Sequence, residues 1–325
     1  MNTSTQHSDP LIEVRDLEYR YPGADSATLR GLSFRLGAGD IYGFLGPSGA
    51  GKSTTQKILY RLLSGYTGSV QVAGREISAW GPEIYAGIGI GFETPNLYLK
   101  LTGRENLEFA LALHTAHRAH TSRSSHTAIS SAGRAAKLGT HAGTHPGTDI
   151  DSAVKRLGLQ DAVDARVETY SKGMRMRLAF IRAVLHSPGL LFLDEPTSGL
   201  DPLWSRQVKD WILELRSYGT AVFITTHSME LADELCDTVG FLVDGGLIAQ
   251  ENPAQLKQHY GRPGIIVQGL GADGQAVEQD MPYEDLLHGR AVKGMQTVTR
   301  VVNREVSLEQ VFLQVTGRSL QGTAS

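Results

Sequence analysis

Cysteine is almost absent: Cys236 stands alone among 325 residues. That excludes a disulfide framework and any four-cysteine zinc site, and it fits a reducing compartment. Runs of about 18 or more apolar residues are missing too, so no segment is expected to cross a bilayer as a helix. The opening stretch Met1–Pro10 lacks the apolar centre of a signal peptide and reads as a flexible N-terminus. The chain is therefore expected to be soluble by itself, with any membrane part supplied by another polypeptide. Neither charge sign dominates. The 31 Lys and Arg against 34 Asp and Glu leave a net charge of −3, without the positive field that recruits nucleic acid.

One stretch lacks acids altogether. His114–Thr148 carries Arg118, Arg123, Arg134 and Lys137 but no Asp or Glu, and is rich in Ser, Thr, Ala, Gly and His. Its few large apolar residues do not offset the entropy of ordering, so it reads as a flexible insertion. His114, His117 and His120 recur about one helical turn apart and are candidate metal ligands. The plainer reading of the same three is a solvated helix tail.

What is present is a chain long enough for one full domain and a smaller appendage. Leu11–Val14 and Leu32–Leu36 alternate apolar and polar positions as short strands. Ile41–Leu45, Leu190–Leu193 and Ala221–Ile224 are short apolar runs of the kind buried on both faces. Thr54–Leu63 and Pro202–Tyr218 have helical patterns, and about 93–182 is mostly helical and forms a separate lobe. Buried strands alternating with helices predict an α/β fold with a parallel sheet wrapped on both faces. Beyond about Gln250 come two strand-like runs, Gly264–Val267 and Thr297–Val302. They are followed by a helix capped by Ser307 and ended by Gly317, a small α/β appendage.

Five short motifs carry the chemistry. Gly46-Pro47-Ser48-Gly49-Ala50-Gly51-Lys52-Ser53-Thr54 is a complete phosphate-binding loop between a strand and a helix. Its glycines let backbone N–H groups turn toward phosphate oxygens, and the helix adds the positive end of its dipole. Lys52 would reach the β- and γ-phosphates of ATP, and the Ser53 hydroxyl would ligate Mg²⁺. Asp194 ends the apolar strand that opens the motif Leu190-Leu191-Phe192-Leu193-Asp194-Glu195-Pro196, so its carboxylate would also hold Mg²⁺ at the sheet edge; Glu195 follows it. A helix cap is the plainer reading of that acid pair. Tyr170-Ser171-Lys172-Gly173-Met174 lies upstream of the pair, and Ser198-Gly199-Leu200-Asp201 and Thr225-Thr226-His227 lie downstream.

In this order the motifs resemble those of the ATP-binding cassette (ABC) ATPases, over about residues 11–250. The resemblance implies a P-loop NTPase core: a mixed sheet with flanking helices, an antiparallel β subdomain and a helical lobe of about 93–182. The 114–148 insertion falls inside the lobe, and 251–325 forms a C-terminal accessory region. It implies that Glu195 is the general base and His227 the switch histidine at the γ-phosphate. Ser171 and Gly173 would meet ATP bound by an opposite subunit, and Asp201 would sense that subunit's site. Tyr21 would stack on adenine, with Tyr19 as an alternative. Only Ser171 and Gly173 match the usual Leu-Ser-Gly-Gly-Gln signature; the variant Tyr-Ser-Lys-Gly-Met-Arg looks like drug- and antibiotic-type exporters. Arg175 and Arg177 behind it read as a solvated helix face. At the position of the family's Mg²⁺-ligating glutamine stands Glu93, an oxygen ligand that adds negative charge beside the triphosphate.

The implied role is the ATP-hydrolysing subunit of a transporter, with ATP and Mg²⁺ as cofactors. Its expected partners are a polytopic membrane permease and a second cassette, identical or not, and no nucleic acid. Its expected place is the cytoplasmic face of the membrane, and its expected cargo a drug-like or amphipathic small molecule leaving the cell. An import ATPase and a non-transport ABC ATPase of DNA repair or translation remain the alternatives.

Overall fold

The computed structural model describes residues 10–124, 138, 149–261, 264–287, 294–304 and 306–317, and divides after Gln250 into two compact units. The first is built on a six-stranded sheet in the order β10 (Gly246–Glu251), β9 (Thr238–Val243), β3 (Ile41–Leu45), β8 (Ala221–Thr226), β7 (Leu190–Asp194), β6 (Ile88–Gly91). From β9 to β6 every pairing is parallel. Every residue of β3 and β8 is buried, as are Leu190–Leu193 of β7. A sheet covered on both faces needs no polar alternation, which explains the continuous apolar runs.

A second sheet, β2 (Leu29–Leu36), β1 (Ile12–Tyr19), β4 (Thr67–Val72), β5 (Arg75–Glu76), is antiparallel. Its strands extend past the expected Leu11–Val14 and Leu32–Leu36 through register shifts. The two sheets share one core. Phe34 of β2 places its ring edge-on 5.0 Å from Phe44 of β3 and tilted 5.8 Å from Phe223 of β8. The buried Tyr42 hydroxyl donates to Gln250 Oε1 at 2.6 Å, so its one polar atom is paired. Cys236, just past helix Met229–Leu235, is buried, and burial raises its thiol pKa.

Helix α1 is Lys52–Leu59, shorter than the expected Thr54–Leu63. Arg61 takes a left-handed backbone (φ 64°), the amides of Leu62 and Leu63 fold back to Lys57 O, and Leu62 is exposed. The lobe region begins without helix through Leu101. Buried Asn106 pins that loop: its Oδ1 accepts from Tyr98 N (2.9 Å), and its Nδ2 donates to Tyr98 O (3.0 Å) and Thr102 O (2.8 Å). Helices α2 (Gly103–Ser124), α3 (Ile150–Arg156) and α4 (Lys172–Val184) follow.

The expected insertion lies largely outside the described residues, as do the side chains of His117 and His120. Two parts of it depart from a flexible loop. Residues 114–124 continue α2, and Leu138 is buried in the core shared by the two sheets. His114 stacks on His186 with ring centroids 3.6 Å apart. Among the described residues, no group of three or more His, Cys, Asp or Glu side chains is arranged to hold a metal.

The second unit contains an antiparallel sheet, β12 (Ala276–Pro282), β11 (Gly264–Leu270), β13 (Thr297–Arg304). It also has helices Pro253–Tyr260, Tyr283–Leu287 and Leu308–Thr316. The last begins at a capping box between Ser307 and Gln310 and ends at Gly317 in the left-handed region. Strand β12 has no counterpart among the expected elements. Its sequence Ala-Val-Glu-Gln-Asp-Met-Pro is polar because it borders the sheet and buries only Met281.

Candidate functional site

Because β3, β8, β7 and β6 run parallel, their C-terminal ends share one edge. Leu45 pairs with Thr226, Thr225 with Asp194, and Leu193 with Gly91. The chain therefore delivers four segments to one place: the loop after Leu45, the acids at Asp194–Glu195, His227, and Glu93. Ligands of open α/β sheets gather at such an edge.

The loop needs its first glycine bare, since a Cβ on Gly46 would lie 2.1 Å from Leu242 O. Gly49 and Gly51 hold left-handed backbones (φ 80° and 109°), and Gly51 caps α1. Lys52 curls back so that Nζ donates to Gly46 O (2.7 Å) and Pro47 O (3.0 Å). Burial lowers its pKa, opposed by the charges of Glu195, Asp194 and Glu93. Those three carboxylates thus lie within electrostatic reach of one ammonium, although Glu93 itself is exposed.

Ser53 Oγ donates to Asp194 Oδ2 at 3.4 Å, and Thr225 Oγ1 donates to Asp194 Oδ1. Glu195 is buried, at 8% exposure, and its backbone is left-handed (φ 48°). For a side chain with a Cβ this conformation is strained, and such strain gathers at functional sites. Three donors hold its carboxylate. Thr226 Oγ1 donates to Oε2 at 2.9 Å, while His227 N (2.8 Å) and His227 Nδ1 (2.6 Å) donate to Oε1. The rest of the His227 side chain faces solvent. Tyr21 is half-buried with its hydroxyl 3.2 Å from Thr54 Oγ1, whereas Tyr19 is buried in the core.

Ser171, Gly173 and Asp201 form a separate group. Ser171 caps α4, accepting from Met174 N at 3.2 Å. Asp201 caps α5 (Pro202–Ser217), accepting from Trp204 N at 3.1 Å. The carbonyl oxygen of Gly199 lies 3.6 Å from where a Cβ on Gly173 would sit. Among the described residues no hydrogen bond joins these side chains to Lys52, Asp194, Glu195 or His227.

Two features escaped the sequence. Thr226 was visible only as part of a Thr-Thr-His run, and nothing local says that its hydroxyl orients a carboxylate 31 residues away. Arg177 is not a solvated side chain: it is 8% exposed and donates to Leu157 O at 2.6 Å. Arg175 also bonds inward, to Val167 O and Glu168 O. A carbonyl acceptor leaves no mark in a sequence.

A family model described as ABC transporter matches residues 29–198, more than half of the chain. The chain belongs to the ABC transporter family. As a member it is an ABC-type ATPase with the fold that this family shares. It is similar to the fluoroquinolones export ATP-binding protein of Mycobacterium tuberculosis, 42% identical over 95% of this chain and 94% of that protein. The daunorubicin resistance ATP-binding protein of Streptomyces coeruleorubidus is 30% identical over 95% of this chain and 97% of its own length. A solved ATP-binding subunit of an ABC transporter superposes with a TM-score of 0.62. It is 26% identical and spans 77% of this chain and 93% of that one. In this ABC ATPase, among the described residues, no helix is long and apolar enough to cross a membrane.

Thr226→Val is expected to lower ATP turnover roughly ten- to hundredfold. It removes a hydrogen bond to a carboxylate worth about 1.5–3 kcal/mol. Steady-state phosphate release with thermal melting checks this: a melting point near wild type alongside unchanged turnover would discard the orienting role.

Proposed function

We propose that this chain is the nucleotide-binding subunit of an exporter. It works as a dimer on a separate polytopic permease at the cytoplasmic face of the membrane, and moves a drug-like or amphipathic small molecule. The observation that carries the reading is the division of the site into two groups within one chain. Lys52, Ser53, Asp194, Glu195 and His227 form a pocket for ATP. Ser171 and Gly173, a capping hydroxyl and a bare backbone at a helix N-terminus, suit a phosphate and, among the described residues, make no side-chain hydrogen bond to that first group. A second subunit brings its own ATP to them.

Two ATP molecules are then enclosed between the Lys52 loop of one subunit and Ser171 of the other. Because these contacts exist only in the closed state, ATP favours closure. Lys52 leaves its loop carbonyls for the phosphates, and the Tyr21 ring supports adenine. The Ser53 hydroxyl and the Asp194 carboxylate, with Glu93 beside them, are hard oxygen donors that fit Mg²⁺. When bound, the ion would offset charge on the phosphates. Glu195, fixed by Thr226 and His227, takes a proton from the attacking water, and hydrolysis resets the dimer. Glu93→Gln is expected to keep turnover within about tenfold, since it retains an oxygen ligand at a cost below about 1.4 kcal/mol. Near-complete loss would mean that the charge itself is required.

For the permease contact we propose one face of this unit. A cavity of about 250 Å³ between β6, α2 and α4 is flanked by Tyr98, Phe109 and Leu113, all exposed. Contiguous exposed apolar side chains mark an interaction surface. The test is a pull-down from detergent-solubilised native membranes with a Glu195→Gln variant held with ATP. A polytopic membrane protein is the expected catch, and adding Leu113→Asp is expected to reduce its recovery about tenfold or more with ATP binding intact. Recovery of ribosomes or DNA alone would move the chain to the non-transport class.

A further inference from the structure

Arg177 and Trp204 meet where the Ser171–Gly173 turn and the loop leading to Asp201 lie side by side. Arg177 sits on α4, six residues after Ser171, and its guanidinium lies 4.2 Å from the Trp204 ring centroid. Its Nη1 donates to Leu157 O (2.6 Å) and Gly158 O (3.4 Å) just past the end of α3, and its Nε to Gly173 O (3.4 Å). The Leu157 carbonyl belongs to the C-cap of that helix, at the negative end of its dipole, a suitable seat for a cation. Trp204 lies close against the same turn: a Cβ on Gly158 would come within 2.1 Å of its ring, and Gly158 is left-handed (φ 61°). Trp204 also donates the backbone amide that Asp201 caps.

Three elements are therefore fastened at one point: the end of α3, the N-terminus of α4 with Ser171 and Gly173, and the first turn of α5 with Asp201. The arginine is buried, and among the described residues no carboxylate lies within ion-pair distance of it. Backbone carbonyls and a ring face receive it, and the charge of Asp201 favours its cation from beyond ion-pair distance. A buried charge so placed is costly unless its geometry is satisfied, and the planar fork of arginine satisfies stacking and carbonyl contacts together where a lysine does not.

We infer that Arg177 and Trp204 are positioning residues for ATP hydrolysis. They clamp the Ser171–Gly173 turn to the Asp201 loop so that both meet the opposite subunit as one rigid surface. The inference rests on the two-subunit reading above. Among the described residues no hydrogen bond links either side chain to Lys52, Asp194, Glu195 or His227, so ATP binding by a single subunit is expected not to depend on the clamp. Closure of the dimer does.

The experiment compares wild type with Trp204→Ala, Trp204→Phe and Arg177→Lys. It measures turnover against subunit concentration, fluorescent ATP-analogue binding to the dilute monomer, and thermal melting. Trp204→Ala and Arg177→Lys are expected to lower kcat roughly ten- to hundredfold, as for a misplaced group, with monomer affinity within about twofold of wild type. Trp204→Phe keeps an aromatic face and is expected to recover most of the kcat. Turnover by Trp204→Ala within twofold of wild type would overturn the clamp while leaving the two-subunit reading intact. A fall in kcat matched by equal losses in monomer affinity and melting temperature, with no recovery in Trp204→Phe, would also overturn it. Wild-type specific activity independent of subunit concentration, with no ATP-dependent dimer, would remove the two-subunit reading and the clamp with it.

Discussion

Glu195→Gln is expected to reduce ATP turnover roughly a thousandfold while ATP binding is kept, the scale on which a general base acts. The substitution is nearly isosteric, and the amide oxygen can still accept from His227 N. The Thr226 hydroxyl can rotate to accept from the new NH₂ group instead of donating to a carboxylate. The left-handed backbone of Glu195, the Thr226 partnership and the loop around Lys52 therefore remain, and what is lost is proton acceptance together with one of the negative charges acting on Lys52. Phosphate release and equilibrium binding of a fluorescent ATP analogue separate the two effects. Turnover within about tenfold of wild type would send the search for the base elsewhere on the same edge.

Phe223→Ala is expected to destabilise the first unit by about 3–5 kcal/mol, the cost of emptying a fully buried aromatic site. Phe223 has no exposed surface and stands in register with Tyr42 on one side and Phe192 on the other. Its ring lies 5.0 Å from Phe44, 5.7 Å from Tyr42, 5.8 Å from Phe34 and 6.0 Å from Phe192. It thus joins the antiparallel sheet to the parallel one. The melting temperature should fall by about 2–4 °C for each kcal/mol in a unit of this size. Phe223→Leu should recover about half of the loss. A destabilisation below about 1 kcal/mol would mean that neighbouring rings close the cavity.

These two positions also mark how far the sequence can be read. The strands around Phe223 were legible because burial on both faces makes them apolar throughout, and the Lys52 loop because phosphate binding constrains several adjacent residues at once. The place of Glu195 beside Asp194 at a strand end was legible, while its role as base came from the family resemblance alone. Its strained backbone was not, since no residue type announces a left-handed φ outside glycine. The end of α1 at Leu59 was masked by Leu62 and Leu63, apolar side chains that continue the helical period after the backbone has left it. Leu138 could not be singled out within a polar segment, because burial of one side chain depends on a core contributed by distant residues. Arg177 was misjudged for the same reason: its partners are backbone carbonyls and a ring 27 residues away.

The burial of Cys236 has a practical side. A thiol held from solvent, with its thiolate disfavoured, reacts slowly with alkylating reagents. The native chain is thus already a near-blank background for maleimide chemistry. A cysteine introduced on any exposed surface would be the one that takes a dye or spin label, so the proposed pairing of two subunits can be tested by distance measurements through an ATP cycle without first replacing a core residue.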